Sequence, residues 1–334
     1  MNDLYIGIDV GATKIRIAVA NREMQILKKV VILTPKDRDP MSIPSAIIET
    51  IRREFNSFLK NVRAIGIGSI GPLDLARGCV TNAPNVPAKS FPLAEPLMHE
   101  FGKPVYIAND CVAAVWGEYI RRHKTVENLV YVTISTGIGG GIILNNCLLL
   151  GKDGNGHEIG HIVVDYERRL QCTCGGYGHW EGYCSGASIP RFARYIVETY
   201  DLTSDEKNSP LYSAIIEGRV RTEDIYTYAR RGDKLAVRIV NEVTRINCVA
   251  FESIANIYDP ELIVVGGSVA LNNVDLVLKP IIEYMNSSTG VIVRRPRVET
   301  TSLGDDVVLF GAISIAIDPP RALLKMLKYL DLSI

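Results

Sequence analysis

The sequence predicts an α/β fold built by duplication, and three observations predict it. Strand-like runs alternate with amphipathic helical runs along the chain. A strand, a glycine turn, a strand, a polar turn and a third strand fill residues 4–33. The same order returns over 129–150, about 125 residues later. With 334 residues, 47% of them hydrophobic, there is material for two cores.

In order, Leu4–Val10 alternates, with Leu4, Ile6, Ile8 and Val10 on one face and Tyr5, Gly7 and Asp9 on the other. Gly11 breaks the strand, Lys14–Ala20 resumes it, Asn21-Arg22-Glu23 turns, and Gln25–Leu33 completes an antiparallel meander. The first turn, Asp9 through Gly11, Ala12, Thr13 and Lys14, has two readings. It is an ordinary hairpin turn, or it grips an anion. A glycine lets backbone N–H groups approach closely, Thr13 adds a hydroxyl, Lys14 a charge, and Asp9 a carboxylate suited to Mg²⁺ or its waters. It is not a Walker A loop, because G-x-x-x-x-G-K-[ST] is missing.

Ser45–Lys60 reads as an amphipathic helix whose stripe includes Ile47, Ile51, Phe55 and Leu59. Ala64–Ser69 is a buried strand ending at Gly71-Pro72. The stretch from Pro84 to Pro104, which carries Asn85, Pro87, Pro92 and Pro96, is mostly loop with one short helix at Leu93–Phe101. Val105–Ala108 is a strand, followed at once by Asn109-Asp110 and a helix over Cys111–Arg122. Asn and Asp favour helix caps. The carboxyl end of a strand is also where ligands collect in open α/β sheets, and an Asp there can accept a proton from a substrate hydroxyl.

The second meander has strands at Leu129–Ser135, Gly141–Leu144 and Cys147–Leu150, with Thr136-Gly137-Ile138-Gly139-Gly140-Gly141 as its glycine turn. A nucleotide held by both glycine turns would have its phosphates gripped from two sides. Helices are expected at Ser188–Tyr200, Thr222–Ala229 and Lys234–Ile257, with an exposed loop at Asp201–Pro210. The longest helix buries Leu235, Ile239, Val243, Ile246, Ala250, Ile254 and Ile257. Glu261–Val265 is a strand into Gly266-Gly267-Ser268, small residues that leave room for adenine or ribose, or simply turn the chain. Leu309–Ile313 begins a closing helix.

The stretch Gly154–Gly186 concentrates the chemistry, with three of the five histidines and three of the seven cysteines. His157-Glu158-Ile159-Gly160-His161 matches H-E-x-x-H, the zinc-peptidase pattern, which works only where i and i+4 share a helical face. Glycines at 151, 154, 156 and 160 resist a helix, and Ile162-Val163-Val164 reads as a strand. The better reading takes His161, Cys172, Cys174 and His179 as a closed, structural zinc site. Cys184 stands close enough to substitute, and Glu158 and Glu181 are left for another ligand.

Lys+Arg and Asp+Glu both total 37, with no long run of one sign. That offers no electrostatic case for nucleic acid or a membrane surface. No apolar run approaches the ~18 residues of a transmembrane helix. The N-terminus is already a strand, not a signal peptide, and seven scattered cysteines fit a reducing cytoplasm.

Eight segments together, IGIDVGATK, IGIGSIGPLD, YIANDCVAA, TISTGIGGG, HEIGHIVVD, CTCGGYGHWE, RRGD and LIVVGGSVA, resemble the ROK family of sugar kinases and related repressors over residues 4–318. The resemblance implies an actin-like (ribonuclease H-like) ATPase fold. Two duplicated α/β domains, 1–116 with 305–334 and 117–304, would flank a cleft holding ATP, Mg²⁺ and sugar. It implies Asp110 as general base toward the 6-hydroxyl of a hexose. It implies sugar contacts from Gly71, Asn85, Asn109, Glu158, His161 and Glu181. The phosphate turns would be Asp9, Gly11, Ala12, Thr13 and Lys14, and Thr136 with Gly137; Gly266 and Gly267 would border the adenosine. His161 would serve both the structural zinc and the sugar. The family's zinc loop is C-x-C-G-x-x-G-C-x-E, and here its third cysteine is His179, itself a legitimate zinc ligand. Glucose is the favoured substrate, N-acetylmannosamine or N-acetylglucosamine the alternative, and a non-catalytic sugar sensor the alternative of another class. A repressor would need a DNA-binding domain ahead of a first strand that begins at Leu4. Homodimers or homotetramers are common in the family.

Overall fold

A computed structural model of the protein describes residues 3–83, 86–122 and 124–333. Strands β1 (Leu4–Val10), β2 (Lys14–Asn21) and β3 (Ile26–Leu33) lead to helix α1 (Ser42–Phe55) and strand β4 (Val62–Ser69). Three short strands follow, β5 (Leu73–Asp74), β6 (Cys79–Val80) and β7 (Phe91–Pro92), then α2 (Ala94–Phe101), β8 (Val105–Asn109) and α3 (Asp110–Arg121). The second meander is β9 (Leu129–Ile134), β10 (Ile138–Leu144) and β11 (Cys147–Leu148). Helices α4 (Glu181–Cys184), α5 (Ile189–Thr199), α6 (Ser204–Lys207), α7 (Pro210–Ile216), α8 (Thr222–Arg230) and α9 (Lys234–Tyr258) precede β12 (Leu262–Gly266). The chain closes with α10 (Ser268–Asn272), α11 (Leu278–Ser287), β13 (Arg297–Thr300), α12 (Val307–Ile317) and α13 (Arg321–Leu324).

The duplication extends beyond the meanders. One sheet has the order β3-β2-β1-β4-β8 and the other β11-β10-β9-β12-β13. Each places a meander's third strand at one edge and adds two later strands beyond its first. The meander strands β1, β2 and β3 pair antiparallel, whereas β4 and β8 join parallel to β1. The chain divides into two compact units, one of residues 1–131, 141–157 and 301–334, the other of 132–140 and 158–300.

In the first unit, β1 is buried on both faces, although its alternation reads as a half-exposed strand. Helix α12 covers the Tyr5-Gly7-Asp9 face, and small residues make that possible. A Cβ on Gly66 of neighbouring β4 would lie 1.9 Å from Ala312 O of the helix. Helix α3 crosses α12 as closely, since a Cβ on Gly311 would lie 2.0 Å from Ala113 O. The central strand of this mixed sheet, buried on both faces, has no solvent face to keep polar, and this tight stack fixes the end of β8 and the start of α3. The helix expected at Ser45–Lys60 begins earlier and ends at Phe55, the rest tightening into a 3-10 turn over Asn56–Asn61.

In the second unit, the long helix α9 starts at the cap Asp233, whose side chain accepts from Ala236 N. Its buried face follows Asn247, Phe251, Ile254 and Ala255, and Ile257 falls off that face and is 65% exposed. The loop expected at 201–210 instead contains α6 and begins α7. Thr203 and Glu206 form a reciprocal capping box, the [ST]-x-x-E signal that announces a helix start. The strand expected at 162–164 reduces to one bridge, Val163 with His179, because the glycine-rich partner segment turns away on either side.

Candidate active site and metal centre

In the first unit, the hairpin register sets Asp9 directly opposite Arg16. Arg16 Nη1 donates to Asp9 Oδ2 at 2.7 Å, and Arg16 Nε lies 3.7 Å from Asp306. Burial pushes the Asp9 carboxyl up to about 6 against the pull of Arg16, and the charges of Asp110 and Asp306 add to the rise. Asp9 and Asp110 therefore feel one another's charge. Sequence reasoning missed Arg16, although counting across a hairpin with its turn at Gly11–Thr13 pairs positions 9 and 16.

The first glycine turn has its acceptors occupied. Thr34 Oγ1 donates to Gly11 O at 2.8 Å, Lys36 Nζ to Ala12 O at 2.7 Å, and Thr34 N to Thr13 O at 3.0 Å. Gly11 N is itself spent on Lys14 O at 3.0 Å, so what the turn presents to a ligand is the Ala12–Thr13 backbone together with the exposed Thr13 and Lys14 side chains. That arrangement suits an anion.

At the end of β8, Asn109 is the cap of α3, its Oδ1 accepting from Cys111 N at 2.9 Å. Asp110 Oδ1 accepts from the same amide at 2.8 Å. The cap reading is thus true of Asn109 without removing Asp110 from the surface where β8 ends. Asn109 Nδ2 lies against Gly71, where an added Cβ would come within 3.5 Å. Asn85 lies outside the described residues.

In the second unit, Ser135 N donates to Gly137 O, while Gly186 N donates to Ser135 O at 2.7 Å and Ala187 N to Thr136 O at 3.1 Å. Glu181 Oε2 accepts from Ile138 N at 2.9 Å. A Cβ on Gly137 would come within 2.8 Å of that oxygen, so the position must be glycine for the carboxylate to reach the turn. Gly267, at φ +90°, sits against Ile134, and Ser268 Oγ is 3.1 Å from Ser135 Oγ. Thr136, Gly137, Gly266 and Gly267 are therefore neighbours.

His161, Cys172, Cys174 and His179 converge, their donor atoms all within 4.8 Å of one another. Cys172 Sγ is 3.9 Å from His161 Nδ1, and Cys174 Sγ is 3.2 Å from His179 Nδ1. Two thiols and two imidazoles form a donor set that fits a structural zinc ion. Burial and the nearby His161 hold the His179 imidazole below its ordinary value, favouring the neutral form that ligates. His161 Nε2, on the other side of the ring, lies 3.7 Å from Glu158 Oε2. Cys184 is no substitute ligand. It is fully buried and its thiol donates to Val243 O.

The peptidase reading fails on backbone geometry. Residues 159–161 form a single 3-10 turn and not an α-helix. His157 is 2% exposed and spends Nε2 on Gly154 O at 2.9 Å.

The metal loop is anchored from within the unit. Trp180, fully buried, donates from Nε1 to Asn247 of α9 at 2.8 Å. Asp165 receives Arg169 and the Tyr183 hydroxyl. Burial raises its carboxyl, but those hydrogen bonds outweigh burial and hold it down at about 2.

The ROK family profile matches residues 5–319. The chain belongs to the ROK family. A ROK relative, glucokinase of Pyrobaculum calidifontis, is 39% identical over 322 residues, covering 96% of this chain and 97% of its own. The ROK hexokinase structure from Thermus thermophilus superposes with a TM-score of 0.77 at 30% identity, over 94% of this chain and 97% of that one. A ROK glucokinase from Streptomyces griseus, in complex with glucose and AMPPNP, gives 0.73 at 32% identity over 94% and 99%. The fold is the actin-like ATPase fold of ROK sugar kinases, which is what the repeated five-strand order reflects. Among the described residues, no helix is long and apolar enough to cross a membrane.

Proposed function

We propose that this ROK protein is an ATP-dependent kinase that phosphorylates the 6-hydroxyl of glucose. The observation that carries the reading is Asp110. It stands at the carboxyl end of β8 and the start of α3, within electrostatic reach of Asp9 and of a turn that offers donors. Asp110 takes the proton of the 6-hydroxyl as that oxygen attacks the γ-phosphorus in line. The new O–P bond forms, the bond to the β-phosphate oxygen breaks, and ADP leaves. General-base help of this type contributes about 10²–10⁴-fold. Donors at Ala12, Thr13 and Lys14, and at Thr136 and Gly137, offset negative charge on the phosphates, Gly11 shapes the first turn by closing it onto Lys14 O, and Gly266 and Gly267 leave space for the adenosine. Mg²⁺ accompanies ATP and shields the same charge.

Asn109, Glu158, His161 and Glu181 hold sugar hydroxyls in this reading, with Gly71 and Asn85 as weaker contacts. Glu181 already accepts from Ile138 N and Thr173 Oγ1. A carboxylate has about four acceptor sites, so it keeps capacity for a sugar hydroxyl. Zinc would hold His161 through Nδ1 and fix the tautomer that turns Nε2 toward substrate. Seven scattered cysteines, two of them in the metal set, are the ground for a reducing cytoplasm as the working compartment in this reading.

Glucose is favoured because the relative matched over 96% of this chain is a glucokinase. The test is ADP release measured over a panel of hexoses and N-acetylhexosamines, with the product's phosphorylated position read by NMR. Glucose should give the highest kcat/KM, with phosphate on O6. Release that ignores sugar, or a preference for N-acetylmannosamine, would overturn the assignment.

A further inference from the structure

We infer that the metal loop sets the position of the Thr136–Gly137 turn, with Glu181 as the strut between them, so that nucleotide affinity depends on metal occupancy. This rests on the kinase reading for its nucleotide, but the strut itself is visible without it. One end of the strut is Ile138 N donating to Glu181 Oε2 at 2.9 Å. The other is Thr173 Oγ1 donating to Glu181 Oε1 at 3.0 Å, and Thr173 stands between the two thiol ligands Cys172 and Cys174. Cys172 Sγ also lies 3.5 Å from Oε1, so one carboxylate oxygen is tied to the turn and the other to the loop.

The turn is stitched to the same segment twice more. Gly186 N and Ala187 N donate to Ser135 O and Thr136 O. Glu181 follows His179, a proposed zinc ligand, by two residues. The whole of Glu181–Ala187 therefore connects the metal ligands to a turn proposed to hold phosphate. A four-residue helix, α4, keeps this link short. Losing the metal frees Cys172, Cys174 and His179 to separate, carries Thr173 away, and leaves Glu181 without its second anchor. The turn then loses the acceptor that orients the Ile138 amide.

The experiment uses the full-length protein without sugar. ADP affinity is measured by calorimetry, and hydrogen exchange by mass spectrometry over residues 134–140. Both are read before and after chelation, with zinc content determined by atomic absorption. Metal removal should weaken ADP binding roughly tenfold, about what one hydrogen bond to a charged group carries, and should speed exchange over 134–140. Zinc-loaded Glu181→Ala should show the same two changes and no further change on chelation. Thr173→Val keeps the Glu181 carboxylate and removes the hydroxyl end of the strut, leaving Oε1 only the longer contact to Cys172, whose metal-bound thiolate has no proton to donate. It should move both readouts in the same direction, and it covers the case in which Glu181→Ala does not fold. Metal-free wild type that keeps its ADP affinity and its slow exchange overturns the inference, and so does a loss in Glu181→Ala that adds to the loss on chelation. Zinc-loaded wild type that binds no ADP sinks the kinase reading instead, while exchange over 134–140 still decides the strut.

Discussion

Asn109 and Asp110 stand next to each other and take different jobs. Asn109 caps α3, and Asp110 shares the same amide through Oδ1. In Asp110→Asn the amide oxygen can accept from Cys111 N just as the carboxylate does, so the helix start survives. The substitution should leave sugar affinity near wild type by calorimetry and lower kcat by about 10²–10⁴-fold. A kcat within threefold of wild type, on the order of a fraction of one kcal/mol, would remove Asp110 from the chemistry. The same scale shows why a buried carboxylate such as Asp9 is kept: Arg16 neutralises it across the hairpin, and it stands close enough to respond to Asp110's charge.

Among the elements, α6 shows how a charged pair holds a short helix on a long one. Four residues do not sustain a helix alone. Glu206 closes the capping box with Thr203 and also receives Arg238 of α9. The guanidinium, opposing the rise from burial, holds the Glu206 carboxyl well down, from its ordinary 4.5 to about 2. A shift of that size converts to roughly 3 kcal/mol, and since Arg238 keeps about a third of its side chain in solvent we expect about 1–2 kcal/mol in practice. Because the folded value is the lower one, the contribution is complete above about 4.5 and is lost as pH falls toward 2. Glu206→Gln keeps an amide oxygen for Thr203 N and removes the charge, and with it the acceptor that faces Arg238 Nε. Urea midpoints of wild type and variant should differ at pH 7 and converge below pH 4.5; a gap that persists to low pH would mean that the charge is not the cause.

At the scale of the whole molecule, a loop of some twenty residues buries no large apolar side chain of its own except Trp180, and the metal stands in for a core. Binding that favours the folded state raises the unfolding temperature. The double variant Cys172→Ser, Cys174→Ser should lose zinc by atomic absorption and unfold several degrees lower by calorimetry, about what 1–2 kcal/mol moves in a chain of this size. Added zinc should raise the wild-type Tm and leave the variant's unmoved, and an equal response in both would place the ion elsewhere. The repeated meander, the glycine turns, the strand end at Asp110 and the Cys/His donor set were all legible in the sequence, because each depends on residues close in the chain or on a period of two or of 3.6. Arg16 and the Thr203–Glu206 box carry local signals too, the first in the hairpin register and the second in the [ST]-x-x-E pattern. Other features had no local signal. The double burial of β1 depends on α12, which arrives 300 residues later. Cys184 faces α9 and not the metal, and Glu181 reaches back to Ile138. Local chemistry determined which elements form and which side chains are equipped to bind; only the tertiary structure decided which faces are covered and which donors meet, since those choices rest on contacts between residues that the chain itself keeps far apart.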